Sequence, residues 1–234
     1  MVLDAVRCGV RISVIIPALN EAGIIEATLV HTLKTLAPHE LFVVDTGSTD
    51  ATEQIAAPYA LVLSGAITRG GGLNVAAARA TGDVLLFLHA DTLLPPDAAR
   101  VIGQALYDPL VIGGAFRLRL DDPRLRGRLV AGSVNLRSRL LTTFFGDQAM
   151  FVRREVFLRA GGFRQWSVME DLEILSRLRR YGRLTLVNAA VLTSARRHRR
   201  RGWVKTIATI WLISLLFRLG VPGQAMIGLY KPQR

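Results

Sequence analysis

Four short apolar runs between Ile12 and Leu88, each separated from the next by a helical or turn pattern, constrain this chain more than any other feature. Ile12 to Pro17 is a β-branched run stopped by proline. Leu41 to Val44 ends at Asp45, Ala60 to Leu63 is a third run, and Val84 to Leu88 leads into His89-Ala90-Asp91. Runs this short and this apolar read as strands buried on both faces. Between them, Asn20 is placed to cap a helix from about Glu21 to Leu36, and Asp50 with Glu53 makes a capping-box pattern for a short helix. A glycine-rich turn, Arg69 to Gly72, leads into an alanine-rich helix from Leu73 to Ala80. Strands alternating with helices predict an α/β fold, a mostly parallel sheet covered on both faces. Right-handed crossovers then bring every strand's carboxyl end to one edge, where open α/β sheets bind ligands. Pro17, Asn20, Asp45 and Asp91 all fall on that edge.

The second half is less regular. A helix opening at Pro95-Pro96 and ending near Tyr107, a strand over Val111 to Leu120 and a basic amphipathic helix over Arg124 to Leu141 are expected. Gly146-Asp147-Gln148 precedes a strand over Ala149 to Val152, and Gly161-Gly162-Phe163 reads as a turn. A helix opened by Ser167 and Glu170 runs to Gly182, and two short strands follow at Leu184 to Val187 and Ala190 to Thr193. The tail joins a cluster of arginines, Arg196, Arg197 and Arg199 to Arg201, to an apolar helix from Trp203 to Val221. Its uninterrupted apolar core, between Lys205 and Arg218, is about a dozen residues, against the roughly 20 that a spanning helix needs. The helix is therefore expected either to lie in a membrane interface or to pack on the domain. The organisation reads as an N-terminal segment over 1–10, one α/β domain over 11–195, and a basic and apolar C-terminal region over 196–234.

Charge narrows the partners. A formal charge of +12 at pH 7 favours phosphate-bearing ligands, anionic lipid or nucleic acid. A single cysteine, Cys8, excludes an internal disulfide and a cysteine zinc cluster. Nucleic acid is disfavoured, because no zinc site, RNA-binding aromatic motif or helix-turn-helix pattern accompanies the charge. The N-terminal stretch lacks the apolar run of a secretory signal, so the expectation is a cytoplasmic domain, peripheral on the inner face of the membrane if the tail binds lipid.

The chemistry-bearing residues follow from the edge. Asp91, at a strand end, is a candidate ligand for a hard cation on a diphosphate; its bland role is capping the Asp-Thr turn before Pro95. His89 is a candidate metal or ribose contact, or a structural hydrogen-bonder. Asp45 can accept an N–H from a nucleobase, since Asp50 already serves the next helix. Gly70-Gly71-Gly72 is a candidate anion cradle at a helix N-terminus, though not a P-loop, because no Lys-Ser/Thr follows. Glu170 fits a capping box with Ser167, which leaves Asp171 in a helix's first turn as a candidate general base.

In order along the chain, Ile15 to Glu21, Val43-Val44-Asp45 with Gly47 to Asp50, Asn74 before Ala76 to Ala80, Gly82-Asp83 ahead of Phe87 to Asp91, Gly161-Gly162-Phe163 and Glu170-Asp171 resemble the family-2 glycosyltransferases of GT-A fold. The match runs from about Ile12 to Gly182, and His89-Ala90-Asp91 with Gly146-Asp147-Gln148 and Thr193 to Arg197 looks like a small bacterial subgroup with mostly unassigned acceptors. The resemblance implies the nucleotide-diphospho-sugar transferase fold, with a C-terminal apolar helix added. It implies a nucleoside pocket lined by Pro17, Glu21 and Asp45, with Asn74 and His89 also on the donor side. It implies Mg²⁺ or Mn²⁺ on the donor diphosphate at Asp91, and Asp171, beside Glu170, as base in an inverting single displacement. Asp147 and Gln148 would face the sugar or the acceptor, and Arg69, Arg196 and Arg197 would meet phosphate. Two places depart from the family pattern. His89 stands where its metal motif begins with aspartate, and the chain is shorter before Asn74, with Gly71-Gly72 in place of an Arg and a Gln.

The function expected is glycosyl transfer from a nucleotide-diphosphate sugar to an acceptor that the sequence does not name, a lipid or other amphiphile being suggested by the tail. Three other readings stand beside it: a non-catalytic basic module binding nucleotide or nucleic acid, a degenerate transferase that binds donor without turnover, and a nucleotidyltransferase. The last calls for a glycine-rich basic loop after the first strand, where this chain has Pro17 to Glu21.

Overall fold

The computed structural model describes residues 9–65, 68–165, 170–196 and 203–221. Eight strands form one sheet in the order β3-β2-β1-β4-β7-β6-β8-β5. The strands are β1 (Ile12–Ala18), β2 (Glu40–Asp45), β3 (Leu61–Leu63), β4 (Val84–Phe87), β5 (Thr92–Leu93), β6 (Val111–Leu120), β7 (Met150–Arg153) and β8 (Arg183–Thr193). The helices are α1 (Ile25–Leu36), α2 (Thr52–Ala56), α3 (Arg69–Arg79), α4 (Ala98–Ala105), α5 (Leu125–Leu141), α6 (Arg154–Arg159), α7 (Glu170–Leu178) and α8 (Trp203–Arg218).

The first four strands are parallel, as the apolar runs require. Ala18 lies beside Asp45, and Ile15 beside Phe87, so β1, β2 and β4 end on one edge. β7 then pairs antiparallel with β4, Phe87 opposite Met150. That reversal brings the start of β7, and Gly146-Asp147-Gln148 before it, to the same edge.

Side chains alternate between two cores. Ile15, Phe42, Val44 and Leu85 face α3, α6 and α7 in one cluster. Val14, Ile16, Val43 and Leu86 face α1 and α4 in the other. The first core centres on Phe87, Phe157 and Phe163, whose ring centroids lie 4.9–5.2 Å apart, near the contact range of aromatic pairs.

Pro17 sits inside β1 at no cost to the ladder. Leu88 N–H donates to Ile15 C=O at 3.0 Å, so Ile15 bonds toward β4. Pro17, two residues on, would donate toward the same side, but β4 has already ended at Phe87. The missing N–H therefore disappoints no partner.

Several element boundaries differ from the sequence reading for identifiable reasons. Asn20 does not cap α1. It adopts φ 55°, and its side-chain oxygen accepts from Thr49 N–H at 2.8 Å, so the helix begins at Ile25. Arg69 to Gly72 is not a turn but the first turn of α3, capped by Thr68 Oγ1 accepting from Gly71 N–H at 3.1 Å. Gly70 answers to close packing: a Cβ there would lie 2.2 Å from the Arg164 carbonyl. The two strands expected after Gly182 are one strand, β8, which follows β6 past a register shift between Ala115 and Arg117. The helix of residues 154–159 and the short β5 carried no clear period and were not anticipated.

The C-terminal helix packs on the domain. Ile213 is fully buried in the first core, and Trp211 Nε1 donates to Ser133 Oγ on α5 at 2.8 Å. Among the described residues, no helix is long and apolar enough to cross a membrane.

Asn74 holds α3 to the turn after α6. Its Nδ2 donates to Phe163 C=O and its Oδ1 accepts from Phe163 N–H, both at 2.8 Å. Asn74→Ala leaves two backbone groups unpaired, and a loss of about 1–3 kcal/mol in urea unfolding is expected; Asn74→Asp should retain the half of the clamp that accepts from Phe163.

Candidate active site

A cleft of about 300 Å³, counting its open mouth, lies at the carboxyl ends of β1 and β4, the approach to β7 and the first turns of α3 and α7. Pro17, Phe87, Leu73, Met150 and Phe163 give it an apolar floor, and Arg69, His89, Gly146, Glu170 and Asp171 its polar wall. Six separate stretches of chain thus meet in one place, the edge that the strand directions single out.

Asp171 is the anchored member. Its Oδ2 accepts from Gly146 N–H and its Oδ1 from Leu172 N–H, both at 2.9 Å. Burial, and then the neighbouring negative charge of Glu170, push its carboxyl up to about 7, while Arg69 and the two backbone donors pull the other way. A carboxyl poised near neutrality, with its orientation fixed by backbone, suits proton transfer.

Glu170 is buried, and its Oε1 lies 3.2 Å from Arg69 Nε. Arg69 Nη2 lies 2.5 Å from His89 Nε2. A guanidinium only donates, so His89 accepts at Nε2 and carries its proton on Nδ1. Gly146 permits this crowding: a Cβ there would stand 2.2 Å from His89 Nε2 and 2.9 Å from Arg69 Nη2.

Behind the wall lies a residue that sequence reasoning missed. Arg137 is fully buried on the inner face of α5. Its Nη2 donates to Thr143 C=O and Gln148 Oε1, each at 3.2 Å, and its guanidinium stacks 4.4 Å over Phe145. Burial lowers its pKa to about 10, opposed by the charges of Asp147 and Asp171; it remains cationic at neutral pH. The available signal was register: Arg137 falls three residues after Val134 and seven after Val130, both buried, where an apolar side chain was due.

Gln148, expected to face the sugar or the acceptor, is fully buried, with Oε1 accepting from Ser138 Oγ at 2.9 Å and Nε2 donating to Phe116 C=O at 3.2 Å. Asp147 is half-buried, and its Oδ1 has no hydrogen-bond partner. Asn74, expected on the donor side, is bound through both its amide atoms to the backbone of Phe163.

On the nucleoside side, Asp45 is buried and closes its own loop. It accepts from Gly47 N–H at 3.2 Å, Ser48 N–H at 3.0 Å and Ser48 Oγ at 2.5 Å. Ser48 in turn accepts from Asn20 N–H at 2.9 Å, and Asp50 accepts from Ala22 N–H at 3.2 Å, so the loops after β1 and β2 are laced together. Glu21 receives Arg196 Nη2 at 2.8 and 2.9 Å, which draws the start of the basic tail onto this rim. Arg197 lies outside the described residues. Asp91 follows β4 and is held by its carbonyl, which accepts from Ser194 N–H at 3.2 Å. Among the described residues, no cluster of three or more His, Cys, Asp and Glu side chains is arranged to hold a cation. A cation at Asp91 would therefore draw most of its oxygen ligands from a bound ligand and water, as Mg²⁺ commonly does.

Residues 13–161 match the model of glycosyl transferase family 2. Glucosyl-3-phosphoglycerate synthase of Mycobacterium tuberculosis strain H37Rv is 33% identical over 112 residues, covering 40% of this chain; the match spans about a third of that relative's length, 32%. A mannosyltransferase from Pyrobaculum calidifontis, solved with GDP-Man and Mn²⁺, superposes with a TM-score of 0.68 at 24% identity, over 88% of this chain and 62% of that one. The M. tuberculosis synthase, solved with Mn²⁺, UDP and glucosyl-3-phosphoglycerate, gives 0.63 at 26% identity, over 94% and 84%. With more than half of its length matched, the chain belongs to glycosyl transferase family 2.

Proposed function

We propose that this protein transfers a glycosyl group from a nucleoside-diphosphate sugar to a hydroxyl of its acceptor, with inversion, and that Asp171 is the base. The observation that carries the reading is the Asp171 carboxyl, held by two backbone N–H groups at the cleft with its pKa raised to about 7. Family membership supports it, as do the two solved relatives, one holding GDP-Man and the other UDP with glucosyl-3-phosphoglycerate.

In the transfer, ionised Asp171 takes the acceptor's hydroxyl proton while that oxygen bonds to the anomeric carbon. The bond from that carbon to the diphosphate oxygen breaks, and the nucleoside diphosphate leaves with the electron pair. Arg69, at the cleft wall, faces the charge that builds on the leaving group. Arg137 sets a fixed positive charge behind the carboxylates. Asp91 would hold Mg²⁺ or Mn²⁺, whose chemistry is Lewis-acid neutralisation of the diphosphate. The rim formed by Asp45, Ser48 and Asn20 is the nucleoside's place, with Pro17 as its apolar wall.

Asp171→Asn should keep donor binding and lose transfer by roughly 10²-fold or more, the usual scale for a positioned base; near-normal turnover would remove Asp171 from the role. Because the ionised form is the active one, kcat/KM should climb about tenfold per pH unit below about 7 and level off above it. The folded carboxyl holds its proton to higher pH than the unfolded chain's, about 4. Folding stability should therefore fall as pH rises from about 4 to about 7, and the thermal midpoint of Asp171→Asn should fall less over that range. Calorimetric titration of UDP or GDP should show tighter binding with Mn²⁺, and Asp91→Ala should abolish that increment. Retention of the full Mn²⁺ effect in Asp91→Ala would place the cation elsewhere.

A further inference from the structure

Helices α5 and α8 run side by side in the same direction. Arg126 stacks 4.9 Å over Trp203 near their starts, Trp211 donates to Ser133 at 2.8 Å midway, and Arg218 Nη1 donates to Leu141 C=O at 3.3 Å near their ends. Inward, Val130, Val134 and Ile213 enter the cores. Outward, α5 shows Leu125, Leu129, Leu136 and Leu140, each between 52% and 70% exposed. Their spacing of four, seven and four residues places them on one stripe of the helix. From α8, Val204, Leu212, Leu215 and Leu219 at its end are between 47% and 80% exposed. Trp211 lies one turn from Leu215 and meets Ser133, one turn from Leu129, so the two stripes join into one face. Half of the exposed large apolar side chains among the described residues lie on this pair of helices, which is no random scatter.

The charge carried by the two helices has one sign. Neither helix contains an acidic residue. Arg128 and Arg139 are exposed, each three residues after a stripe leucine, and so border the apolar band along its length. A second copy packed on the same face would bring two such arginine rows together with no carboxylate on either helix to pair them. The residues after Val221 also contain no acid, so they offer the arginines no counter-charge. An anionic lipid surface supplies both halves of the match: an acyl layer for the leucines and phosphates for the arginines.

We propose that the α5–α8 face docks this protein on an anionic membrane surface, the leucine stripes lying in the interface and Arg128 and Arg139 among the headgroups. On this face the two helices lie along the surface, and among the described residues no helix is long and apolar enough to cross a bilayer. The docking stands independently of the catalytic reading.

The test is flotation of the full chain with phosphatidylcholine vesicles and with vesicles also containing phosphatidylglycerol. The protein is expected to float with the anionic vesicles, and to do so less as salt rises. Leu129→Gln with Leu136→Gln should weaken partitioning at least about tenfold. Arg128→Glu with Arg139→Glu should weaken it by a similar factor and flatten the salt dependence. All four side chains are exposed, so the thermal midpoint and nucleotide binding of both variants should stay at the parent's values. A parent that binds neither vesicle, or variants that float as the parent does, would overturn the proposal. A dimer dissociated by the leucine substitutions, with no vesicle binding, would reassign the face to self-association.

Discussion

The hydrogen bond from Gly146 N–H to Asp171 joins parts of the chain that the sheet alone does not connect. Gly146 leads into β7, the strand that reverses direction against β4; Asp171 opens α7, which packs on the opposite end of the same core. Everything at the cleft depends on how closely these two approach. With no side chain at Gly146, His89 and Arg69 fit over it, and the carboxylate on the far side is reached by a backbone donor rather than by a flexible group. An acid so held loses little orientational freedom when it acts, which is where much of a positioned group's catalytic value lies.

Around that bond charges of both signs are packed together. The fully buried Arg137 feels the charges of Asp147 and Asp171, and Glu170 pairs with Arg69, which meets His89 at the cleft wall. Burying so many ionic groups costs free energy, and neighbours of opposite sign offset it only in part. The residue of that imbalance is visible as a carboxyl raised to about 7 and a guanidinium lowered to about 10. Sites that must take up and release protons near neutrality are built by leaving such an imbalance uncancelled.

Strands β1, β2 and β4 were legible in the sequence because both their faces are buried, so their residues carry an unbroken apolar signal; β3, at the sheet edge, kept an apolar run although Leu61 is exposed. The edge that holds the site followed from strand direction alone. What stayed hidden was whatever depends on a partner distant in the chain. Asn20 has the composition of a helix cap, yet Thr49 holds it in a left-handed conformation. Gly70 to Gly72 has the composition of a turn, yet it is the first turn of a helix capped by Thr68, and the glycine at 70 answers to the approach of residue 164. Asn74 and Gln148 sit within motif segments, and long-range backbone partners claim their amides. Arg137 was hidden by its own charge: on a helix with three other arginines it reads as surface, and only its register contradicts that.

Pro17 has a consequence for how the sheet can and cannot fail. Zipping of β1 to β4 is the natural tendency of two adjacent parallel strands, and nothing in their apolar side chains tells it where to end. Pro17 withholds the next donor that β1 would turn toward β4, at the point where β4 ends at Phe87. Pro17 and Phe87, at the end of this seam, form part of the apolar floor of the cleft on which a ligand would rest.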